Sequence, residues 1–252
     1  MAAAKRLKMD DVADPDQYVA EFLASHKDRS GHLYGESKSS YFGNYKLILT
    51  KTEIELAVQK VADIINKSFV GEKIVLCGIL KGAFIFITDL CRRLTRPYSI
   101  YFVEASSYEG QDQRGVELLS RIVPSKFEGR RVILIDELLD KGHTMHSMTN
   151  HLMSELKITR DQITTCCLFT KSVPDRPQEY DADITGVYNL PGVWLVGYGL
   201  DDMGTKRGWT ELLAMPKAPG IPATPDDAIF NSGEAGVALL KELRAGLLKQ
   251  LE

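Results

Sequence analysis

The sequence predicts an α/β fold built on a mainly parallel sheet flanked by helices. Two observations carry this. Short continuous apolar runs at Ile74–Ile79, Arg131–Ile135 and Ile163–Phe169 read as strands buried on both faces. Segments with helical apolar spacing lie between them, and strand–helix alternation implies parallel strands joined by right-handed crossovers.

The elements follow in chain order. Thr52 and Glu55 have capping-box spacing, which predicts a helix start. Ile54, Val58, Val61 and Ile65 then recur on one face, and Gly71 ends the segment. After the Ile74–Ile79 strand, Ala83–Leu94 reads as a helix closed by Arg92 and Arg93 at its negative end. Tyr98–Ala105 is a second strand. Ser106–Gly115 is polar with two glycines, which predicts a loop, and Val116–Ile122 a strand at the sheet margin. Arg131–Ile135 is a buried strand. His143–Lys157 is a helix with Met145, Met148, Leu152 and Leu156 on one face. Ile163–Phe169 and Val193–Val196 are further strands. No internal repeat is present.

Beyond Met215 the character changes. Pro216, Pro219, Pro222 and Pro225, four of the ten prolines, recur every third residue, the pattern of a polyproline-II-like spacer. Leu239, Leu240, Leu243, Leu247 and Leu251 then give Val237–Leu251 a helical pattern. The expectation is one domain over residues 1–215, flexible over 1–10, followed by a proline-spaced linker and C-terminal helix over 216–252.

Composition bounds the function. Of 252 residues, 44% are apolar and 26% charged, as in an ordinary globular protein. With 31 basic and 34 acidic residues the net charge is −3, which argues against a nucleic-acid surface. Cys77, Cys91, Cys166 and Cys167 are too few for a disulfide scaffold and lack metal-ligand spacing; three of them lie within apolar runs, where buried thiols are expected. There is no signal-peptide core. The longest apolar stretch, Ile74–Leu90, is broken by Lys81 and Asp89. The C-terminal residues are not a peroxisomal address. The expected location is cytoplasmic, with no membrane partner.

The chemistry concentrates in residues 131–145. A buried strand runs into Asp136 and Glu137; Asp140 follows, and a Gly142-x-Thr144 turn opens a helix. In open α/β sheets ligands bind beyond the carboxyl ends of strands. Amides of a glycine turn at a helix N-terminus make an anion site, to which Thr144 adds a hydroxyl and Lys141 and His143 add charge. Three carboxylates beside a phosphate site would repel the phosphate. A polyhydroxylated ligand carrying Mg²⁺ resolves the conflict, because carboxylates accept from hydroxyls and bind hard cations. The motif therefore predicts a phosphorylated sugar. No G-x-x-x-x-G-K-[ST] is present, so a P-loop kinase is unsupported.

This stretch resembles the phosphoribosyl pyrophosphate fingerprint of the type I phosphoribosyltransferases. Further matches over roughly residues 45–212 narrow the resemblance to the 6-oxopurine branch, the hypoxanthine-guanine(-xanthine) enzymes. Leu80-Lys81-Gly82 is similar to the family's pyrophosphate loop, which often carries a cis peptide before the lysine. Ser107-Tyr108 resembles the Ser-Tyr of its mobile lid. Lys171, after the Ile163–Thr170 strand, sits where the family's purine-contacting lysine sits. Trp194 to Asp201 is similar to the segment that stacks on the base through its aromatic, reads the base edge with the Leu195 backbone, and supports Mg²⁺ through its aspartate. Arg207 falls at a pyrophosphate-binding arginine.

The resemblance implies a Rossmann-like core with a small hood subdomain. It implies the reaction of a purine base with phosphoribosyl pyrophosphate to give a nucleoside 5′-monophosphate (IMP, GMP or XMP) and pyrophosphate. It also implies roles. Asp140 is the general base at N7. Asp136, Glu137 and Asp140 to Thr144 hold the phosphoribosyl group. Lys81, Gly82, Ser107, Tyr108 and Arg207 hold pyrophosphate. Lys171, Trp194, Leu195 and Asp201 hold the purine, and Asp136, Glu137 and Asp201 hold Mg²⁺. The family usually forms dimers or tetramers, so a homodimer or homotetramer is expected.

This chain departs from the family in three places. The acidic pair reads Asp-Glu where Glu-Asp is commoner, Lys141 and His143 stand in the phosphate turn, and Trp194 replaces Phe or Tyr. Hypoxanthine and guanine are the default bases, and xanthine is a plausible third, because its extra 2-oxo group wants a donor of the kind this loop can supply. A non-catalytic nucleotide-sensing regulator on the same fold would need a basic face or an added DNA-binding segment, which the −3 charge and the sequence do not offer.

Overall fold

The computed structural model describes residues 14–25, 45–109, 114–118, 120–174, 176–202, 204–216, 223–231 and 233–252, with backbone alone over 106–118. The expected flexible arm of residues 1–10 and most of the proline spacer, residues 217–222, lie outside the described residues. The chain divides into two compact units, residues 57–190 and residues 1–56 with 191–252.

Its elements, in order, are α1 (Pro15–Ser25), β1 (Lys46–Leu49), α2 (Lys51–Ser68), β2 (Ile74–Leu80), α3 (Phe84–Cys91), β3 (Tyr98–Glu109) and β4 (Arg114–Leu118). Then come β5 (Arg131–Leu139), α4 (His143–Leu156), β6 (Ile163–Lys171), β7 (Ile184–Leu190), β8 (Trp194–Val196), β9 (Leu212–Met215) and α5 (Glu234–Leu248).

The unit of residues 57–190 carries a sheet of order β4-β3-β2-β5-β6-β7. Its five strands from β3 to β7 are parallel, and β4 adds an antiparallel margin. The central strand β5 is apolar on both faces. Val132 and Leu134 pack with Met145, Met148 and Leu152 of α4, while Ile133 and Ile135 on the opposite face are also fully buried. That double burial is why the strand reads as a continuous apolar run. Among the described residues no helix is long and apolar enough to cross a membrane.

Two local expectations are corrected. Ser106–Gly115 is not a loop throughout: β3 continues to Glu109 and pairs with β4, Ser107 opposite Val116 and Tyr108 opposite Gly115. Hairpin pairing satisfies the backbone here, and a polar sequence does not prevent it. The capping box also lies two residues earlier than Thr52 and Glu55. The Thr50 N–H donates to Glu53 Oε2 at 2.7 Å, and the Glu53 N–H donates to Thr50 Oγ1 at 3.3 Å. Thr50 is the residue between β1 and α2, so it alone has the non-helical backbone a cap needs.

The second unit carries a three-stranded antiparallel sheet, β1-β9-β8, which matches the expected small subdomain. Leu47, Val196, Leu213 and Met215 pack with Val19 and Phe22 of α1 and with Trp209. Phe22 and Tyr45 meet the Trp209 ring edge-on at 5.7 and 5.6 Å, the arrangement the ring quadrupole favours. A buried charged pair lies in the same unit. Arg244 of α5, 2% exposed, donates through Nη1 to the Ile48 carbonyl at 2.7 Å and through Nη2 to Glu53 Oε1 at 2.9 Å. One guanidinium thus joins the tail helix, β1 and the first turn of α2. Removing it leaves a buried carboxylate and a carbonyl without that donor. We expect Arg244→Ala to lose about 3–5 kcal/mol, read as a lower urea midpoint; an unchanged midpoint would show that the pair is not structural.

Candidate active site

At its carboxyl end β5 delivers Asp136 and Glu137, and Asp140-Lys141-Gly142 turns into α4. Gly142 takes a left-handed φ of +83°, and a Cβ there would lie 2.7 Å from Tyr180 Cβ and 2.9 Å from its carbonyl oxygen. Only glycine fits. His143 opens α4, and the first amide bonded within the helix is that of His146, to the Gly142 carbonyl at 2.9 Å. The amides of His143, Thr144 and Met145 precede it, at the positive end of the helix dipole. Tyr180 backs this turn, edge-on to His143 at 5.5 Å and stacked on His146 at 4.2 Å.

Asp136 and Glu137 form the second part. Burial pushes the Asp136 carboxyl well above the ordinary carboxylate range, and the neighbouring Glu137 charge adds to the shift. Glu137 is 7% exposed and lies against Gly82, where a Cβ would fall 1.7 Å from Glu137 Oε1. Gly82 follows the non-proline cis peptide Leu80–Lys81 at the end of β2. The loop after β2 and the acids of β5 therefore touch, and the absence of a side chain at 82 permits it.

The third part is Lys171, the last residue of β6. Its Nζ donates to Asp140 Oδ2 at 3.1 Å. Arg176 locks both residues in place: Nη1 donates to the Asp140 carbonyl at 2.7 Å and the Lys171 carbonyl at 3.2 Å, while Nε is held by Asp181 at 2.8 Å. The sequence reading missed Arg176 and Tyr180. Both lie outside the strand–turn–helix pattern, on a segment whose partners are distant in sequence.

The structure thus brings together Lys81, Gly82, Asp136, Glu137, Asp140, Lys141, Gly142, His143, Thr144 and Lys171 in one unit. Ser107 and Tyr108 are in the same unit, as strand residues whose side chains lie outside the description. Trp194, Leu195, Asp201 and Arg207 belong to the other. There β8 holds Leu195 buried opposite Ala214 and leaves Trp194 52% exposed, opposite Met215. An aromatic so exposed on a strand is a ready stacking face. Asp201 accepts from Arg207 Nη2 at 2.7 Å and from the Gly204 N–H at 2.7 Å, and Arg207 Nη1 donates to the Gly199 carbonyl at 2.7 Å. Lys206, missed in the sequence, is buried beside Asp202 and lies 5.9 Å from the Trp209 ring.

Among the described residues, no group of three or more His, Cys, Asp and Glu side chains forms a metal cage. The paired carboxylates of Asp136 and Glu137 nonetheless suit a hard cation. Mg²⁺ commonly takes one or two carboxylates and completes its shell with water and substrate phosphate oxygens. A cation would also relieve the repulsion between two adjacent buried acids. All four cysteines are free; Cys77, Cys166 and Cys167 are buried and Cys91 is half-buried, and burial alone pushes the Cys77 thiol up to about 12, which fits an inert core thiol.

The N-terminus of α4, with its leading amides at the positive end of the helix dipole, thus stands beside two adjacent carboxylates at the carboxyl end of a parallel sheet. Residues 44–202 match the Phosphoribosyl transferase domain, and the chain belongs to this family. It is 34% identical over 158 residues to the hypoxanthine-guanine phosphoribosyltransferase of Aquifex aeolicus, covering 62% of this chain and 86% of that one. It is 31% identical over 160 residues to the enzyme of the same name from Staphylococcus aureus, covering 62% and 85%. Among solved structures it is similar to a hypoxanthine phosphoribosyltransferase from Staphylococcus aureus, with a TM-score of 0.60, 28% identity, and coverage of 68% and 90%. It is also similar to the Trypanosoma cruzi hypoxanthine phosphoribosyltransferase in complex with the product IMP, with a TM-score of 0.57, 25% identity, and coverage of 71% and 97%.

The turn makes a stability prediction. Gly142→Ala combines a left-handed φ with a collision against Tyr180 backbone, so it should cost at least about 1 kcal/mol. Gly82→Ala meets only the far end of the Glu137 side chain and should unfold near the wild-type temperature. Thermal unfolding of both variants checks this, and equal losses would contradict it.

Proposed function

We propose that this chain is a purine-salvage enzyme. It transfers the 5-phosphoribosyl group from phosphoribosyl pyrophosphate to N9 of a 6-oxopurine, giving a nucleoside 5′-monophosphate and pyrophosphate. The observation that carries the base class is the Asp140–Lys171 pair. A 6-oxopurine protonated at N7 presents a donor at N7 and an acceptor at O6 side by side on one edge. The pair presents an acceptor and a donor side by side, 3.1 Å apart. A 6-aminopurine would place a donor against the Lys171 ammonium, and a site built for one hydrogen-bond pattern rejects the other strongly.

The residues then divide the work. The α4 amides with Lys141, His143 and the Thr144 hydroxyl take the 5′-phosphate. Asp136 and Glu137 accept from the ribose hydroxyls. Displacement at the anomeric carbon builds oxocarbenium character there, as in glycoside chemistry. Asp140 takes the N7 proton as N9 bonds to that carbon. Lys171 donates to O6 and withdraws density from the ring. Trp194 stacks on the base, the Leu195 backbone reads its edge, and Asp201 supports that segment. Lys81, Arg207, the Gly82 backbone, Ser107 and Tyr108 receive the pyrophosphate. Asp136 and Glu137 would hold Mg²⁺, with Asp201 the further donor the resemblance assigns; bound there, the ion neutralises charge on the departing pyrophosphate.

The direct test is a steady-state assay with hypoxanthine, guanine and xanthine, with and without Mg²⁺. Turnover of at least one base, abolished by chelation, is expected; no turnover of any base would refute the reading. Asp140→Asn should lower kcat by about 10²-fold or more while phosphoribosyl pyrophosphate still binds. Lys171→Ala should raise the purine KM far more than that of phosphoribosyl pyrophosphate. Equal effects on the two substrates would remove Lys171 from the base site.

A further inference from the structure

The family match ends at residue 202, yet the chain continues through a tail that folds back within its own unit. After the spacer, Pro225–Phe230 forms a 3-10 turn opened by a capping box between Thr224 and Asp227. One residue before Asp227, the Asp226 carboxylate accepts the Gly192 N–H at 2.6 Å. A Cβ at Gly192 would lie 3.0 Å from that carboxylate, so the approach is close on both sides. Gly192 stands in the link between β7 and β8, two residues before Trp194. The same tail is fixed at its other end by Arg244, bonded to Ile48 and Glu53.

We infer that the tail is a positioning element of the purine site, with Asp226 setting the entry of β8 and through it the stacking face of Trp194. This rests on the proposed role of Trp194 as the base platform. Trp194 is half-exposed on a strand of three residues, Trp194–Val196. Its direction is set by backbone: on one side the pairing with Met215, and on the other the link through Val193 to Gly192. Val193 is buried, 1% exposed, which fixes one face of the link. The Gly192 amide is the other attachment, and a hydrogen bond to a carboxylate is the stronger kind. Asp226 touches no substrate in this account; it acts through the backbone.

A positional effect of this sort falls on the base and spares the sugar phosphate. In the full-length enzyme, Asp226→Ala should raise the purine KM about ten-fold, with the KM for phosphoribosyl pyrophosphate within about two-fold of wild type. Asp226→Asn keeps a side-chain oxygen acceptor and should restore the purine KM. Amide hydrogen exchange at Gly192 should be faster in Asp226→Ala and near wild type in Asp226→Asn. Two results would overturn the inference: a purine KM unchanged in Asp226→Ala, or a parallel rise in both substrates' KM values with lowered thermal stability. An absence of wild-type turnover on all three bases would instead refute the substrate reading, and the inference would fall with it. Unchanged exchange at Gly192 in an active Asp226→Ala enzyme would likewise overturn the inference, since the tether would then not hold that amide.

Discussion

Two carboxylates sit side by side where β5 leaves the core, and much of the site follows from that crowding. Asp136 and Glu137 are adjacent, largely buried and mutually repelling, enough to push Asp136 well above its ordinary range. Such a pair persists where a ligand or cation rewards it. Its neighbours are shaped to fit. Gly82 leaves room for the Glu137 carboxylate that lies against it. Gly142 takes a left-handed turn so that α4 can start beyond the acids and present its amides. Negative and positive ends thus stand within one turn of chain, which suits a ligand that carries hydroxyls and phosphate together.

Charge pairing extends the theme. Lys171 rests against Asp140, Arg207 against Asp201 and Arg176 against Asp181. The net charge of −3 conceals these local pairs. A ligand that inserts between such partners exchanges one set of charge-assisted hydrogen bonds for another, so binding need not strand either charge. Arg176 keeps the donor and acceptor of the Asp140–Lys171 pair in register by holding their backbones, not their side chains.

What could be read from the sequence was local. The run from β5 into α4 was legible because a buried strand, a turn and a helix start each leave a mark within a few residues, and Lys171 was legible from its place at a strand end. The short strands β1 and β9 were not, since four-residue segments carry too little periodicity. The true cap at Thr50 was hidden by an equally good pattern two residues on. Ser107 and Tyr108 read as loop because their polarity is that of a loop, while their pairing with β4 is a property of the hairpin. Arg176, Arg244 and Asp226 were invisible for a common reason. Each acts on backbone groups or charges remote in sequence, and no spacing rule announces such a partner. The proline spacer and the leucine pattern announced a linker and a helix but not their partners; Arg244 and Asp226 bind the described part of the tail to β1, α2 and the β7–β8 link.

The proposed base choice rests on the Asp140–Lys171 pair reading one edge of the purine. The most direct measurement is kcat/KM of the wild-type enzyme for hypoxanthine against adenine at saturating phosphoribosyl pyrophosphate. A preference for hypoxanthine of about 10⁴-fold or more is predicted, because adenine opposes a donor to the buried Lys171 ammonium and leaves it unmatched. Comparable turnover of the two bases would contradict it.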